Sequence, residues 1–272
     1  MRRLSSLLIY AALVLVALAI LMPVLWMVSV SFMPSGSANT YPPPWIPRHP
    51  TLVHYRELFT RLEIGRHLIN SAIVSVSAAV LSVLVTSMAG YALAKLRFRG
   101  RQYLTGLLVA GMVVPAQVAM LPLFLLVKWF GLVNTFGGAI IPLAAPIFGI
   151  FLVRQYALSI PDALLDAARV DGASEFRIYR SIVLPAIRPV LITLAIFTFV
   201  AAWNDFMWPL IVLNDESRYT LPVALATLSG EHAQDAELMM AGAVLTVLPV
   251  LAVFFPLQRY YVQGILAGSV KG

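Results

Sequence analysis

Long apolar stretches, separated by short charged segments, recur along the whole chain. Each stretch is long enough to cross the roughly 30 Å hydrocarbon core of a bilayer as a helix that rises about 1.5 Å per residue. The pattern therefore predicts an all-α membrane protein with six transmembrane helices in one domain, residues 1–272. The predicted spans are 7–32, 69–94, 103–127, 135–153, 189–213 and 238–258.

The composition supports this prediction and excludes other classes of protein. With 60% hydrophobic residues, 11% charged residues and a mean hydropathy of +0.88, the chain lies far from soluble averages, so a water-soluble enzyme is excluded. The formal net charge is +7. The basic residues lie between the spans and form no continuous stripe, so no nucleic acid partner is expected. The absence of cysteine excludes a disulfide framework and a thiolate metal site.

The distribution of Lys and Arg predicts the orientation of the chain. If the spans alternate, the side that carries both termini holds 13 of these residues and the opposite side holds six. The positive-inside bias then puts the N-terminus, the C-terminus and the charged segment 154–188 in the cytoplasm. The basic start could also belong to a signal peptide, but its apolar run is longer than a signal core, which favours a retained helix.

Two features of the spans predict how their helices pack. In the second span, two successive sets of three small residues each recur at every fourth position and form a face for close helix contact. They are Ser71, Ser75, Ala79, Ser82, Thr86 and Gly90. Prolines predict kinked or interrupted helices in spans three, four and six. They are Pro115, Pro122, Pro142, Pro146 and Pro249.

The cytoplasmic segment 154–188 contains a predicted short amphipathic helix. Ser159 offers an N-cap hydroxyl, Pro161 fits the first turn, and Gly172 is placed to end the helix. A short amphipathic helix suits a groove on a partner protein. The alternative is a re-entry helix that only connects spans four and five.

The same segment carries a spaced motif. It begins with Asp166-Ala167-Ala168, continues after three residues with Gly172, and ends nine residues later with Ile182-x-Leu184-Pro185. This resembles the EAA loop, E-A-A-x3-G-x9-I-x-L-P, of permease subunits in binding-protein-dependent ABC importers, with Asp166 in place of the family's Glu. The resemblance implies a type I importer fold in which 154–188 is a coupling loop. Its contacts with the ATP-hydrolysing subunit would be Asp166, Ala167, Ala168 and Gly172.

Two further stretches resemble the carbohydrate branch of this family. Residues 199–210 and 261–272 are similar to maltose-type permeases of the MalG kind. The resemblance implies import of a sugar or related polyol derivative across the cytoplasmic (inner) membrane of a bacterium or archaeon. The implied partners are a second permease in a heterodimer, two ATPase subunits that hold ATP and magnesium, and an extracytoplasmic solute-binding protein.

A polar cluster in span five is a candidate for the substrate path. Trp203, Asn204 and Asp205 combine a ring with amide and carboxylate groups, as a polyhydroxyl solute needs. A carboxylate at membrane depth normally faces protein or water. The alternative is that a neighbouring helix satisfies Asp205 near the outer interface and that Trp203 anchors the aromatic belt.

The sequence contains no recognisable motif for catalysis, nucleotide binding or metal binding. There is no phosphate-binding loop and no nucleophile elbow, so no catalytic residue and no cofactor of its own are expected. No metal site is expected either, and His49, His54, His67 and His232 are predicted to be solvated in external loops. The remaining alternatives are an ion-coupled secondary transporter or channel and a non-transporting scaffold. The transporter would require more intramembrane carboxylates and an internal repeat.

Overall fold

The computed structural model describes residues 2–231 and 235–269, and every regular element within these ranges is a helix. The α-helices are α1 (Arg2–Val30), α2 (Val53–Thr60), α3 (Ile64–Lys95), α4 (Arg101–Gly111), α5 (Ala116–Trp129), α6 (Phe136–Ile140), α7 (Ile147–Leu158), α8 (Asp162–Val170), α9 (Glu175–Ile178), α10 (Leu184–Ala186), α11 (Arg188–Asn204), α12 (Met207–Val212), α13 (Leu221–Glu231) and α14 (Ala236–Ser269). Short 3-10 turns cover Ile141–Leu143 and Glu216–Arg218, and a π-turn covers Tyr179–Val183.

Among the described residues, four helical segments are long and apolar enough to cross a membrane. They are Ile9–Val30, Ile64–Lys95, Phe136–Leu158 and Ala236–Gln258. Two bent helix pairs also qualify, and counting each pair as one span gives six. The pairs are α4 with α5, bent by 113°, and Glu175–Ala186 with α11, bent by 78°. The all-α membrane fold predicted from the sequence is therefore confirmed, while the exact bounds of the spans stay predictions.

Proline marks several of the breaks. Pro115 lies between α4 and α5 in extended conformation and precedes the first residue of α5, as Pro146 does for α7. The residue before a proline avoids the helical region, so the two helices of a broken span meet at an angle instead of running on. Pro122 lies inside α5 and Pro249 inside α14, and neither divides its helix. The predicted interruptions therefore occur at some prolines and not at others.

Contacts divide the chain into two compact units. The N-terminal unit comprises the described parts of Met1–Arg66 and Ala224–Pro249. The segment after α1 is bonded to the start of α14, where the carboxylate of Glu237 is fully buried and accepts a hydrogen bond from the Ala38 amide at 2.7 Å. His54 in α2 is also buried, and its Nε2 lies 2.9 Å from the Met33 carbonyl oxygen.

The central unit comprises the described parts of His67–Val223 and Val250–Gly272. The small-residue face of α3 is buried in it along its whole length, as predicted. At Gly90 a Cβ would lie 2.6 Å from Cγ1 of Val153 and 3.0 Å from the Arg154 amide nitrogen, so α3 and α7 touch through backbone. The core continues into α11 through Val190 and Leu194.

The prediction of solvated histidines is wrong for two of the four. His54 and His67 are 1% and 5% exposed. Each ring has a backbone carbonyl as partner, which for His67 Nδ1 is that of Tyr219 at 3.0 Å. The carbonyls satisfy ring nitrogens that burial takes out of water. His49 is exposed as predicted, and His232 lies outside the described residues.

Candidate functional site

Helix α8 begins later than the sequence suggested. Ser159 does not cap it, because this residue ends α7 and its hydroxyl donates to the Tyr156 carbonyl at 2.7 Å. The residue at the cap position is Pro161, which supplies no side-chain bond. Asp162 then occupies the first turn, where a negative charge interacts favourably with the positive end of the helix dipole.

Gly172 ends α8 through a Schellman motif. Its φ is +77°, and its amide donates to the Arg169 carbonyl at 3.0 Å. The amide of Ala173 donates to the Ala168 carbonyl at 3.0 Å, which completes the pair of bonds that define this cap. A Cβ at Gly172 would meet nothing within 4 Å in this chain, so backbone conformation alone requires glycine here. The predicted end of the helix is confirmed.

Leu165 is the one residue of α8 that is fully buried in the core. Leu165 is 1% exposed and joins the cluster built from α7, α9 and α11, including Val153 and Ile178. Two apolar side chains of α8 nevertheless stay open, since Leu164 is 49% and Val170 is 87% exposed. In α9, the ring of Phe176 is 65% exposed on the same segment.

The four residues singled out from the EAA-like motif lie on one helical turn and its cap. Asp166, Ala167 and Gly172 are exposed, and Ala168 is half-buried against the core cluster. Asp166 is not free, because its Oδ1 accepts a hydrogen bond from Nη1 of Arg169 at 2.6 Å. The motif therefore combines an accessible surface with an internal ion pair.

Arg169 bridges α8 to α9, a role that the sequence reasoning missed. Its Nε donates to Oε1 of Glu175 at 2.8 Å, and these bonds to Glu175 and Asp166 raise the pKa of the guanidinium. The pKa of the Glu175 carboxyl is lowered, first by the bond from Arg169 and then by the bond from the Tyr91 hydroxyl. Both charges are therefore held in place across the turn that contains Gly172.

Three residues of α3, at intervals of four, connect the membrane helix to this loop. The Tyr91 hydroxyl donates to Oε2 of Glu175 at 2.7 Å, and the Ser87 hydroxyl lies 2.7 Å from that of Tyr179. Lys95 follows one turn later. The regular spacing of polar groups at the cytoplasmic end of a long apolar helix is the signal that could have revealed this connection.

The third residue, Lys95, holds the segment between α7 and α8. Its ammonium group donates to the Ile160 carbonyl at 2.6 Å, to the Leu158 carbonyl at 3.3 Å and to Oδ1 of Asp162 at 2.7 Å. The Lys95 side chain is only 5% exposed. The hydrogen bond from Lys95, followed by its charge, lowers the pKa of the Asp162 carboxyl.

The polar cluster of span five is not presented on one surface. Trp203 is 2% exposed and stacks on Phe199 with ring centroids 5.7 Å apart, so its ring offers no face to a solute in this structure. Asn204 is exposed and donates to the Val200 carbonyl at 2.9 Å. Asp205 is half-buried, and its Oδ1 accepts a bond from the Trp208 amide at 3.3 Å, next to the start of α12. A role for these residues in the path stays a prediction.

No group of three or more His, Asp or Glu side chains that could hold a metal ion occurs within residues 2–231 and 235–269.

The model of a protein family, described as "Binding-protein-dependent transport system inner membrane component", matches residues 82–266. This range contains α8 together with Tyr91, Lys95 and Glu175. The chain belongs to this family. As a binding-protein-dependent permease, it is a multi-pass transport component of the inner membrane and not an enzyme.

Relatives of this permease have names that refer to sugars. The arabinooligosaccharides transport system permease protein AraQ of Halalkalibacterium halodurans is 41% identical over 203 residues, which are 75% of this chain and 73% of the relative. The lactose transport system permease protein LacG of Rhizobium radiobacter is 32% identical over 276 residues, 99% of this chain and 98% of the relative.

A solved structure resembles the permease over nearly its whole length. It is the crystal structure of a bacterial ABC transporter involved in the import of the acidic polysaccharide alginate, with a TM-score of 0.83 and 25% identity. The match covers 95% of this chain and 97% of that chain. The permease therefore has the fold of an ABC importer permease.

Proposed function

We propose that this permease is a subunit of an ATP-driven importer that moves a sugar or a related polyol derivative into the cytoplasm. Membership in the binding-protein-dependent family gives the transport role, and the proposal adds the class of cargo. The names of the arabinooligosaccharide and lactose relatives support a carbohydrate. The alginate importer, whose fold this chain shares, also carries a sugar polymer.

The coupling loop 154–188 transmits the movement of the ATPase subunits in this proposal. The supporting observation is that α8 buries Leu165 in the core while Leu164 and Val170 stay exposed. Exposed apolar side chains on a short capped helix in water suit burial in a groove of a partner protein. Asp166, Ala167, Ala168 and Gly172 form or border the surface that would contact the ATPase.

The connection to α3 supports a lever-like coupling. A displacement of α8 would be carried through Arg169 to Glu175 and from there to Tyr91 in the middle of the bonded face of α3. Lys95 adds a second connection at the start of α8. Since packed helices have discrete arrangements, such a shift would switch the spans between outward-facing and inward-facing states.

The proposed assembly contains three kinds of protein partner. A second, different permease would complete the membrane part as a heterodimer, and two ATPase subunits would hold ATP and magnesium. An extracytoplasmic solute-binding protein would deliver the cargo, in agreement with a second solved relative in complex with an alginate pentasaccharide-bound periplasmic protein. The host membrane would be the cytoplasmic membrane of a bacterium or archaeon, and no nucleic acid takes part.

A polar residue on α11 is the proposed point of contact with the cargo. Asn204 is exposed together with Ala201, one turn before it, and Phe197, two turns before it, on the same side of the helix. An amide beside a ring can bind a hydroxyl group and the apolar face of a sugar. Asp205 adjoins it, whereas buried Trp203 would act by supporting the helix end.

Site-specific crosslinking tests the coupling role directly, because the chain contains no native cysteine. In the assembled transporter, a cysteine at exposed Ala167 is expected to crosslink to the ATPase subunit, and a matched cysteine at exposed Ser35, on the predicted external side, is not. Uptake is expected to require ATP hydrolysis stimulated by the loaded binding protein. Uptake that followed an ion gradient without an ATPase would instead support a secondary transporter.

A further inference from the structure

Two cavities adjoin along α4 in the central unit. One is polar and has a volume of 840 Å³, with Arg101, Gln102, Thr105 and Arg154 in its lining. The other is apolar and has a volume of 680 Å³ between α3, α4 and α7. Phe98 lines both cavities, so they lie side by side.

The polar cavity contains positive charge without a matching carboxylate. Within the described residues, neither Arg101 nor Arg154 forms an ion pair. Arg101 donates only to the Ala94 and Leu96 carbonyls at 2.9 and 3.2 Å. The Nε of Arg154 is buried and has no hydrogen-bond partner. A buried donor without a partner is costly, so this arrangement favours an anionic ligand.

The apolar cavity has the form of a groove with small residues on its floor. Ala89 and Ala92 of α3 and Gly111 of α4 leave space between the helices, and Leu107 and Leu108 form a wall. Within a membrane, such a space between helices is filled by a lipid chain or by another helix. The adjoining polar cavity with its two arginines distinguishes between these two occupants.

We propose that the two cavities bind one anionic phospholipid of the cytoplasmic leaflet. Its phosphate lies between Arg101 and Arg154, and one acyl chain lies in the groove. The charge pattern puts the cytoplasmic end of α3, Lys95 and the start of α4 on the side where anionic lipids attract basic segments. Basic pockets between helices at this depth bind lipid headgroups. The inference depends on this orientation and not on the coupling role of α8.

Other occupants fit the site less well. A free phosphate ion would satisfy the arginines but would leave the 680 Å³ apolar cavity unfilled. A helix of a partner permease would fill the groove but would leave two guanidinium groups without a counter-charge at the membrane boundary. A phospholipid provides both parts in one molecule.

Native mass spectrometry of the assembled transporter in lipid nanodiscs tests the proposal. We expect retention of phosphatidylglycerol in preference to phosphatidylcholine, and no displacement by excess inorganic phosphate. Arg154→Gln is expected to lower the retained phosphatidylglycerol about tenfold, as loss of a charge-assisted contact would. Arg177→Gln, at an exposed arginine of α9 that lines neither cavity, is the matched control and is expected to retain the lipid. Equal retention of the two lipids, or an Arg154 variant that matches the control, would overturn the proposal.

The groove is tested independently with phosphatidylglycerol that carries a photoreactive group on its acyl chain. The expected labelling lies within 101–111 and falls several-fold in Ala92→Phe, which fills the groove, while the headgroup site is unchanged. A cysteine at Leu107 that crosslinks to a partner permease in place of the lipid would show that a helix occupies the groove. Displacement of the labelled lipid by inorganic phosphate would show a simple anion site. Either result would refute the lipid assignment.

Discussion

Arg169 donates from Nε to Oε1 of Glu175 at 2.8 Å and thereby closes the turn between α8 and α9 around Gly172. The same carboxylate accepts the Tyr91 hydroxyl on its other oxygen at 2.7 Å. Glu175, itself in α9, is therefore bonded to both α8 and α3. Because both charged side chains are partly exposed, the ion pair contributes roughly 1 kcal/mol or less. Its importance lies in position and not in strength.

Acidification is expected to loosen this connection. The pKa of Glu175 is lowered from its ordinary value of 4.5, so its contribution is complete above that value and is lost as the pH falls through the lowered pKa. A spin label at exposed Val170 should therefore show constant mobility between about pH 7 and pH 5 and greater mobility only at a pH below 4.5. In the Glu175→Gln variant the label at Val170 should be more mobile already at neutral pH, and its mobility should not change on acidification. A step of equal size in this variant would exclude Glu175 as its origin.

Substitution of Gly172 separates backbone strain from contact with a partner. Since its φ is +77° and a Cβ has open space, Gly172→Ala should cost about 1–2 kcal/mol through backbone alone. Asn tolerates this conformation better, so Gly172→Asn should keep the cap. If the ATPase covers this position, both variants should insert normally but lose uptake.

Gly131 provides the matched control for that experiment. Its φ is +69°, and a Cβ there would also meet nothing within 4 Å, but it lies after α5, away from the coupling loop. Gly131→Ala and Gly131→Asn should therefore retain uptake. Full uptake in Gly172→Asn would show that no protein surface closes over this cap.

Loss of Lys95 is expected to lower thermal stability more than loss of its ion-pair partner Asp162. Lys95→Met removes the cation that binds two carbonyls and Asp162, and hydrogen bonds to a charged group are worth about 1.5–3 kcal/mol. Asp162→Asn leaves both carbonyl bonds in place and should lower thermal stability less. The measurement is the melting temperature of the purified protein in one detergent. A larger loss in the Asp162 variant would contradict the arrangement described for Lys95.

Close packing at Gly90 makes this position intolerant of any side chain. Gly90→Ala would place a Cβ within 3.0 Å of Val153 and of the Arg154 backbone, so we expect destabilisation of about 1–3 kcal/mol. Val153→Ala should rescue it only in part, because Cβ of Val153 remains 2.7 Å away. Gly106→Ala in α4 meets nothing within 4 Å and should be neutral or stabilising. The measurement is the melting temperature of Gly90→Ala, of the double variant with Val153→Ala, and of Gly106→Ala.

Mutation of Asp205 is expected to affect protein yield, whereas mutation of the neighbouring Asn204 is expected to affect uptake. Asp205→Leu removes the acceptor for the Trp208 amide and should lower protein yield, as loss of a cap costs about 1 kcal/mol. Asp205→Asn keeps an acceptor oxygen and should restore the yield. Asn204→Leu should insert normally, since this side chain is exposed, and should reduce uptake with little change in ATP hydrolysis. Unchanged uptake would remove Asn204 from the substrate path.

The helical membrane fold and the end of α8 could be predicted because each depends on local sequence. A run of apolar residues determines a span, and glycine at Gly172 provides the left-handed conformation that ends the helix. The small face of α3 also follows from periodicity alone. The start of α8 was predicted wrongly because the Ser159 hydroxyl could bond either forwards or backwards, and it bonds back to Tyr156.

Contacts between distant segments could not be predicted from periodicity. Arg169, Glu175 and Tyr91 meet only after α3 and the cytoplasmic loop have packed, and nothing in a single sequence pairs them. The burial of Trp203 likewise depends on neighbours that local hydropathy does not identify. His54 and His67 lie in polar surroundings in the sequence but find carbonyl partners in the folded chain.

Helix α1 differs from the other spans in a way that affects how the protein is made. None of the 18-residue apolar window within Ile9–Val30 is buried by the rest of the chain, and its hydropathy of 2.7 is higher than that of the other three continuous spans. All backbone groups of such a helix are satisfied internally, so the lipid alone is a sufficient environment. During synthesis α1 can leave the translocon as soon as it emerges. We expect the α4–α5 pair, which is broken at 112–115 and whose α4 packs against α7, to reach its final arrangement only after α7 has been translated.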